Sequence, residues 1–360
     1  MMPLIITGII TMTLVIKILW NGSTMRAIVY DQHAEAGRVL RLSEQPPPPP
    51  PAAGQVRIRV LSRPVHPGDL AVVQGFPGAP RGPFAKPRIP GLEGMGVVES
   101  VGEGVQQPRP GQRVAFFPVP GAWSELVTAP SEQVVPVPEG VSDETAALML
   151  VNPITLLTLL RAVEEAQHKR QAGPVVQTAA GSSVGKLVTA AALEHGIPLV
   201  NLVRSATGAQ ILRRRFPGIP ALSTADANWR AQVRDATGGR GARVVLDAVG
   251  GSLTGELAGL LDDGGTLITY GQLGDGSTAL ESLALIPRDL TVRGVSIEQW
   301  MTRTPEERAE DVAFAARLAT TEPELFEVAG RYDLADFATA IDHVRRPGKS
   351  GTVLLTSPAA

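Results

Sequence analysis

The run Pro174-Val175-Val176-Gln177-Thr178-Ala179-Ala180-Gly181-Ser182-Ser183-Val184-Gly185 passes from a β-branched strand through small residues into the start of a helix. Glycine permits the tight turn and lets backbone approach a pyrophosphate. The helix N-terminus adds unpaired N–H groups and the positive end of its dipole. The run falls short of a full G-x-G-x-x-G, so a phosphate turn and a plain strand-to-helix turn both stand open on these residues alone. The next strand, over 198–203, ends in Asn201-Leu202-Val203-Arg204-Ser205. An NAD site carries Asp or Glu there, about twenty residues past the turn, for the ribose 2′-hydroxyl. Here a guanidinium and a hydroxyl stand instead, and both suit a 2′-phosphate. The plainer reading of Arg204 is an exposed arginine after a strand. The cofactor expected from Gly181, Ser182, Ser183, Val184, Gly185, Arg204 and Ser205 is NADPH.

Outward from this turn, apolar runs at 175–178, 198–203, 244–248, 266–270 and 291–295 alternate with helical stretches such as 184–194. Continuous apolar strands separated by helices predict a parallel sheet covered on both faces. Residues 25–149 have a different texture. Short strands over 27–30, 55–60, 96–101 and 113–117 show β-branched enrichment and alternation between Gly and Pro punctuation. The six prolines at 46–51 cannot donate ladder hydrogen bonds and predict an extended surface connection, with a proline-rich ligand as the alternative. Residues 75–90, dense in Pro and Gly, read as a stiff binding loop. After the parallel sheet come a helix over 305–318, a short strand, a helix over 334–344 and a last strand over 352–355 that should rejoin the first half. No internal repeat is visible.

A chain of 360 residues exceeds the size at which single cores stop growing, so two domains are expected. A content of 44% hydrophobic and 19% charged residues is that of an ordinary globular protein. The formal charge of -2 argues against nucleic acid, which calls for a basic face. Arg213, Arg214 and Arg215 read as a solvated helix face. There is no cysteine, which removes disulfides, thiolate metal sites and cysteine nucleophiles. The five histidines (His33, His66, His168, His195, His343) show no zinc-motif spacing, so no metal is expected. Residues 4–20 are almost wholly apolar, with Lys17 inside, yet lack the basic start and small-residue cleavage pattern of a signal peptide. The preferred reading is a chain that begins at Met25, with 1–24 as an extension. A membrane anchor and an ordered extra element are the alternatives. On the preferred reading the protein is cytoplasmic.

Further residues carry a family resemblance. Gly91-Leu92-Glu93-Gly94-Met95-Gly96-Val97-Val98, Val101-Gly102-Glu103-Gly104-Val105 and Pro110-Gly111-Gln112-Arg113-Val114 resemble the signature of the medium-chain dehydrogenase/reductase superfamily. Zinc alcohol dehydrogenases of that superfamily carry Gly-His-Glu where this chain has Gly91-Leu92-Glu93, so the metal-ligand histidine is missing. Gly121-Ala122-Trp123-Ser124-Glu125 and Val151-Asn152-Pro153-Ile154-Thr155 are similar to motifs of zinc-free mitochondrial-type 2-enoyl thioester reductases and bacterial quinone oxidoreductase-like proteins. So, in order, are Asp247-Ala248-Val249-Gly250-Gly251 and residues 265–271 and 289–300. The resemblance covers nearly all of 25–360. It implies an α/β fold: a GroES-like β domain (25–149 and 298–360) plus a Rossmann domain with a doubly wound parallel sheet (150–297). It also implies a homodimer that pairs through the last Rossmann strand, and Thr155 and the strand end Tyr270, Gly271, Gln272 near the nicotinamide.

Two departures bear on the chemistry. The relatives carry Asn-Pro-Ser-Asp where this chain has His66-Pro67-Gly68-Asp69. They also carry a tyrosine after a Gln-Gly pair, whereas here Gln74-Gly75 precedes Phe76, which cannot donate a proton. Hydride attack on an enone or enoyl ester develops charge on oxygen, which calls for a donor. His66 is the ionisable donor that the resemblance brings to the cleft; the plainer reading is a packed loop histidine. Phe76, Phe84 and Trp300 are expected to line the substrate pocket, with core packing as the alternative for Trp300. No proton-transfer role is assigned to Asp69 or Glu93. The expected function is NADPH-dependent reduction of activated C=C bonds. NADPH:quinone oxidoreduction and nucleotide binding with little turnover are the alternatives.

Overall fold

Strands Val175–Gln177 and Ala242–Asp247 are buried at every residue, which a strand achieves only between two helical layers. The computed structural model describes residues 24–168 and 172–358; the apolar run 4–20 lies outside them. A six-stranded sheet runs Ala221–Ser223, Leu199–Val203, Val175–Gln177, Ala242–Asp247, Leu261–Thr269, Thr291–Gly294, with every neighbouring pair parallel. Its residues alternate between two cores. Val175, Leu199, Val244 and Leu246 face a cluster with Leu159 and Leu187, while Val176, Val200, Val245 and Leu267 face one with Trp229 and Leu257. Chain order reverses between Val175–Gln177 and Ala242–Asp247, and in such sheets a ligand crevice opens at the strands' carboxyl ends at that point.

The second sheet runs Val328–Asp333, Thr352–Thr356, Gln55–Pro64, Gly94–Val101, Arg113–Phe116, Val134–Pro136, with Leu126–Pro130 also paired to Gln55–Pro64. Its pairs are antiparallel except the first. Val56, Ile58 and Val60 point into the core and alternate with half-exposed neighbours, as the sequence pattern requires. The final strand does rejoin the first half, and Arg63 fastens it there. This fully buried guanidinium donates to the carbonyls of Ala122, Ser124 and Leu355, and burial pushes its pKa down to about 9. A hairpin of Met25–Val29 and Arg41–Gln45 adjoins this sheet through a bridge from Ala27 to Ser124. Several strands extend beyond the expected limits; Gln55–Pro64 continues past residue 60, and Leu261–Thr269 starts earlier than 266 because a strand can begin on polar Asp262 and Asp263.

The resemblance assigns 298–360 to the β domain, and within that range the chain re-enters the β sheet at Val328. Helix Pro305–Thr321 instead packs on helix Val151–His168, burying Ala315 and Ala319 in the same core as Leu159 and Leu187. The reason is electrostatic as well as steric: Asp311, nearly fully buried, is neutralised there by Arg161 and Arg303. Among the described residues, no helix is long and apolar enough to cross a membrane.

Candidate active site

A cleft of about 2500 Å³ separates the two sheets and follows the carboxyl ends of the parallel strands. On its nucleotide side, Ser182 caps helix Ser183–Glu194, its Oγ accepting from the Gly185 N–H at 3.0 Å. A Cβ at Gly185 would lie 2.6 Å from the Ala179 carbonyl, so only glycine lets the helix seat so closely on the turn. A Cβ at Gly181 would meet only Val203 Cγ1, at 4.0 Å, and glycine leaves that space open for a ligand. Ala179 holds the left-handed φ of 48°, an unusual backbone for a residue with a Cβ. Ser205 caps the next helix through a 3.1 Å bond from Gly208 N–H, while Arg204 is exposed on the rim with no ion-pair partner among the described residues. These features fit a dinucleotide: open room over the turn, a capped helix N-terminus and a free guanidinium at the ribose end.

Thr155 lies on helix Val151–His168 and donates its hydroxyl to the Val151 carbonyl at 2.7 Å, which leaves its oxygen free to accept from a ligand. The Tyr270 hydroxyl is buried without a hydrogen-bond partner, and burial, helped by Asp247, pushes its pKa up. Glu327, the residue before the β-sheet strand Val328–Asp333, pairs with Lys186 at 2.5 Å and with Arg215, so ion pairs anchor the start of that strand at this end. Burial and Arg215 push the Lys186 pKa down to about 8.

On the opposite wall, His66 precedes helix Pro67–Gln74, and the Asp69 carboxylate accepts the His66 backbone N–H at 2.9 Å. Asp69 thus fixes the local turn, and burial raises its pKa to about 6 against the lowering effect of His66. The His66 ring, 15% exposed, meets Glu93 at 2.7 Å between Nε2 and Oε2. Burial alone would lower the His66 pKa, but the hydrogen bond and charge of Glu93, with Asp69, raise it above its ordinary value. Sequence reasoning missed this pair. Gly91 and Gly94 mark a closely packed segment there: a Cβ at either would strike Trp123 or Phe116 at 2.3 or 2.6 Å.

The cleft brings together Thr155, Gly181, Ser182, Ser183, Val184, Arg204, Ser205, Tyr270, Gly271, Gln272, His66 and Phe76. Gly185 lies behind the turn rather than on the cleft wall. Phe76 is 57% exposed. Two expected pocket residues do not line the cleft. Phe84 packs edge-on against Tyr30, with the Arg88 guanidinium 3.9 Å above its ring. Trp300 is buried because its indole N–H finds the Asp311 carboxylate at 3.0 Å; Phe117, against which it packs, lines the cleft instead. Among the described residues, no group of three or more His, Asp or Glu is placed to hold a metal ion.

A β sheet domain and a doubly wound parallel sheet that face each other across a dinucleotide-shaped cleft define an oxidoreductase of the nicotinamide type. Residues 52–139 match the family described as alcohol dehydrogenase GroES-like domain, and residues 183–317 match that described as zinc-binding dehydrogenase. The mitochondrial enoyl-acyl-carrier-protein reductase of Xenopus tropicalis is 31% identical over 300 residues, 81% of this chain and 83% of its own. The Bos taurus enzyme of the same name is 27% identical over 343 residues, covering 93% and 89%. Among solved structures, one described as a putative NADPH:quinone reductase of Bacillus thuringiensis superposes with a TM-score of 0.82 at 27% identity, covering 94% of this chain and 100% of that one. A mycobacterial protein solved with NADPH gives 0.79 at 27%, covering 92% and 100%. The chain belongs to the medium-chain dehydrogenase/reductase superfamily.

Proposed function

We propose that this protein uses NADPH to reduce activated carbon–carbon double bonds, in 2-enoyl thioesters or enones. The observation that carries the reading is one continuous cleft with the phosphate turn and free Arg204 at one end and the His66–Glu93 pair on its facing wall. NADPH, when bound, supplies the hydride. The chain's own groups do the rest. Backbone N–H groups of 181–184 orient a pyrophosphate, Arg204 and Ser205 hold a 2′-phosphate, and Thr155 Oγ1 accepts from a carboxamide. With Nε2 committed to Glu93, the proton that His66 can pass on is the one at Nδ1. The names of the curated relatives support the enoyl thioester, and those of solved relatives support a quinone.

Phe76 favours the quinone as a second reading, since it cannot donate a proton and a quinone collects protons from solvent. NADPH oxidation followed against crotonyl thioester and a small quinone separates the two by product, a saturated acyl chain or a hydroquinone. Oxidation no faster than a no-substrate control with both would refute both and leave nucleotide binding with little turnover. We also place residues 25–149 with 328–358 as the substrate half and 150–327 as the nucleotide half, in a cytoplasmic homodimer. The edge strand Thr291–Gly294, with exposed Leu283, Ile286 and Val292 beside it, supports the two-fold pairing. A monomer mass by light scattering at micromolar concentration would overturn that assembly.

A further inference from the structure

Glu93 is 1% exposed, and its two oxygens take three N–H donors from two directions. Oε2 faces His66 Nε2 at 2.7 Å, while Oε1 accepts from the backbone N–H groups of Leu150 and Val151 at 2.9 and 2.8 Å. Those two amides open helix Val151–His168, which carries Asn152 and Thr155 to the cleft. Both carboxylate oxygens are thus occupied by donors, and the backbone amides fix the Glu93 side chain in place against the imidazole. The charged groups that face His66 are Glu93, Asp69 on its own helix and Lys349 from the loop before the final strand.

We propose that Glu93 is the positioning residue of this site: it keeps His66 as the imidazolium that gives up its Nδ1 proton, and it ties that acid to the helix bearing Thr155. The inference rests on the reductase reading above. Bound NADPH would supply a hydride to the substrate β carbon, and the C=C electron pair would then move onto the α carbon. That carbon then bonds the Nδ1 proton. The N–H electron pair stays on the imidazole, and solvent restores the proton. Glu93 changes neither charge nor bonding in the step.

The test is an imidazole NMR titration of His66 in the full chain, with His66→Gln to assign the resonance. The midpoint should lie above the ordinary value of about 6.5 in the unaltered protein. In Glu93→Gln burial acts without the carboxylate, and the midpoint should fall by about one unit or more. Glu93→Asp, which keeps the charge but draws it back by one methylene, should recover part of the fall. In turnover of crotonyl thioester at pH 7.5, Glu93→Gln should lower kcat about tenfold and move the pH limb by the same amount as the titration. A His66 midpoint that does not move in Glu93→Gln, or a kcat limb that stays while the midpoint moves, overturns the proposal. Should Glu93→Gln fail to fold by circular dichroism, Glu93→Asp decides: an unmoved midpoint there refutes the role. If the unaltered protein oxidises no NADPH with any substrate, the reductase reading falls, while the titration still judges the hold of Glu93 on His66.

Discussion

Replacement of Arg204 by alanine isolates the cofactor reading, because this side chain bonds to nothing else among the described residues and its loss costs the fold little. Ser205 would be a poorer choice, since its hydroxyl also caps a helix. A 2′-phosphate carries about -1.5 to -2 charges at pH 7. Charged hydrogen bonds contribute about 1.5–3 kcal/mol when desolvated. Arg204 stands exposed on the rim, where water and salt screen it, so the lower end applies. About 1.5 kcal/mol corresponds to roughly tenfold in Kd. Titration of nucleotide fluorescence should therefore show the unaltered protein favouring NADPH over NADH by about tenfold. Arg204→Ala should lose that preference while NADH binding stays unchanged, and 0.5 M salt should shrink the preference in the unaltered protein. Equal affinity for both nucleotides, or equal weakening of both in Arg204→Ala, would refute the assignment of a 2′-phosphate to this arginine.

Gly185→Ala places a methyl 2.6–2.8 Å from the backbone of Ala179 and Ala180, so the helix must move off the turn. Thermal denaturation should show a loss of about 1–3 kcal/mol, with NADPH binding weakened in parallel. Trp300→Phe removes the bond to Asp311 and should lower stability by about 1 kcal/mol with no change in substrate KM. A large rise in KM would return Trp300 to the pocket. Ala179→Gly relieves a left-handed alanine, and after the greater entropy of an unfolded glycine is subtracted it should stabilise by about 0.5 kcal/mol, read as a Tm higher by about 1–2 °C.

The doubly wound sheet was legible because strands buried on both faces must be apolar throughout, and because the turn before Val184 carries its small residues in the sequence itself. The expectation for the cofactor end rests on Arg204, which follows its strand at a fixed distance from the turn. The wall that carries His66 was less legible. His66 and Glu93 lie 27 residues apart, and only the antiparallel pairing of Gln55–Pro64 with Gly94–Val101 brings their neighbourhoods together. Aromatic residues were the weakest signal. Phe84, Phe76 and Trp300 look alike as apolar rings, yet an indole N–H with a buried carboxylate nearby is drawn inward and an unpartnered phenyl is not. The limit between the two halves is hard to read in the sequence because Pro305–Thr321 buries a narrow stripe of alanines, and such a stripe does not reveal which neighbour it will seat against.

The last strand, Thr352–Thr356, lies between Val328–Asp333 and Gln55–Pro64 rather than at an edge. A ribosome making this chain therefore releases the first half with the end of Gln55–Pro64 as an open edge, and that edge stays unpaired until the whole nucleotide half has been synthesised. The second half, continuous in sequence, can fold while the first still waits. A nonsense codon in place of Gly351 would take out an interior strand and the carbonyl of Leu355 that Arg63 bonds. Quality control would then meet an open sheet edge and a buried arginine short of an acceptor.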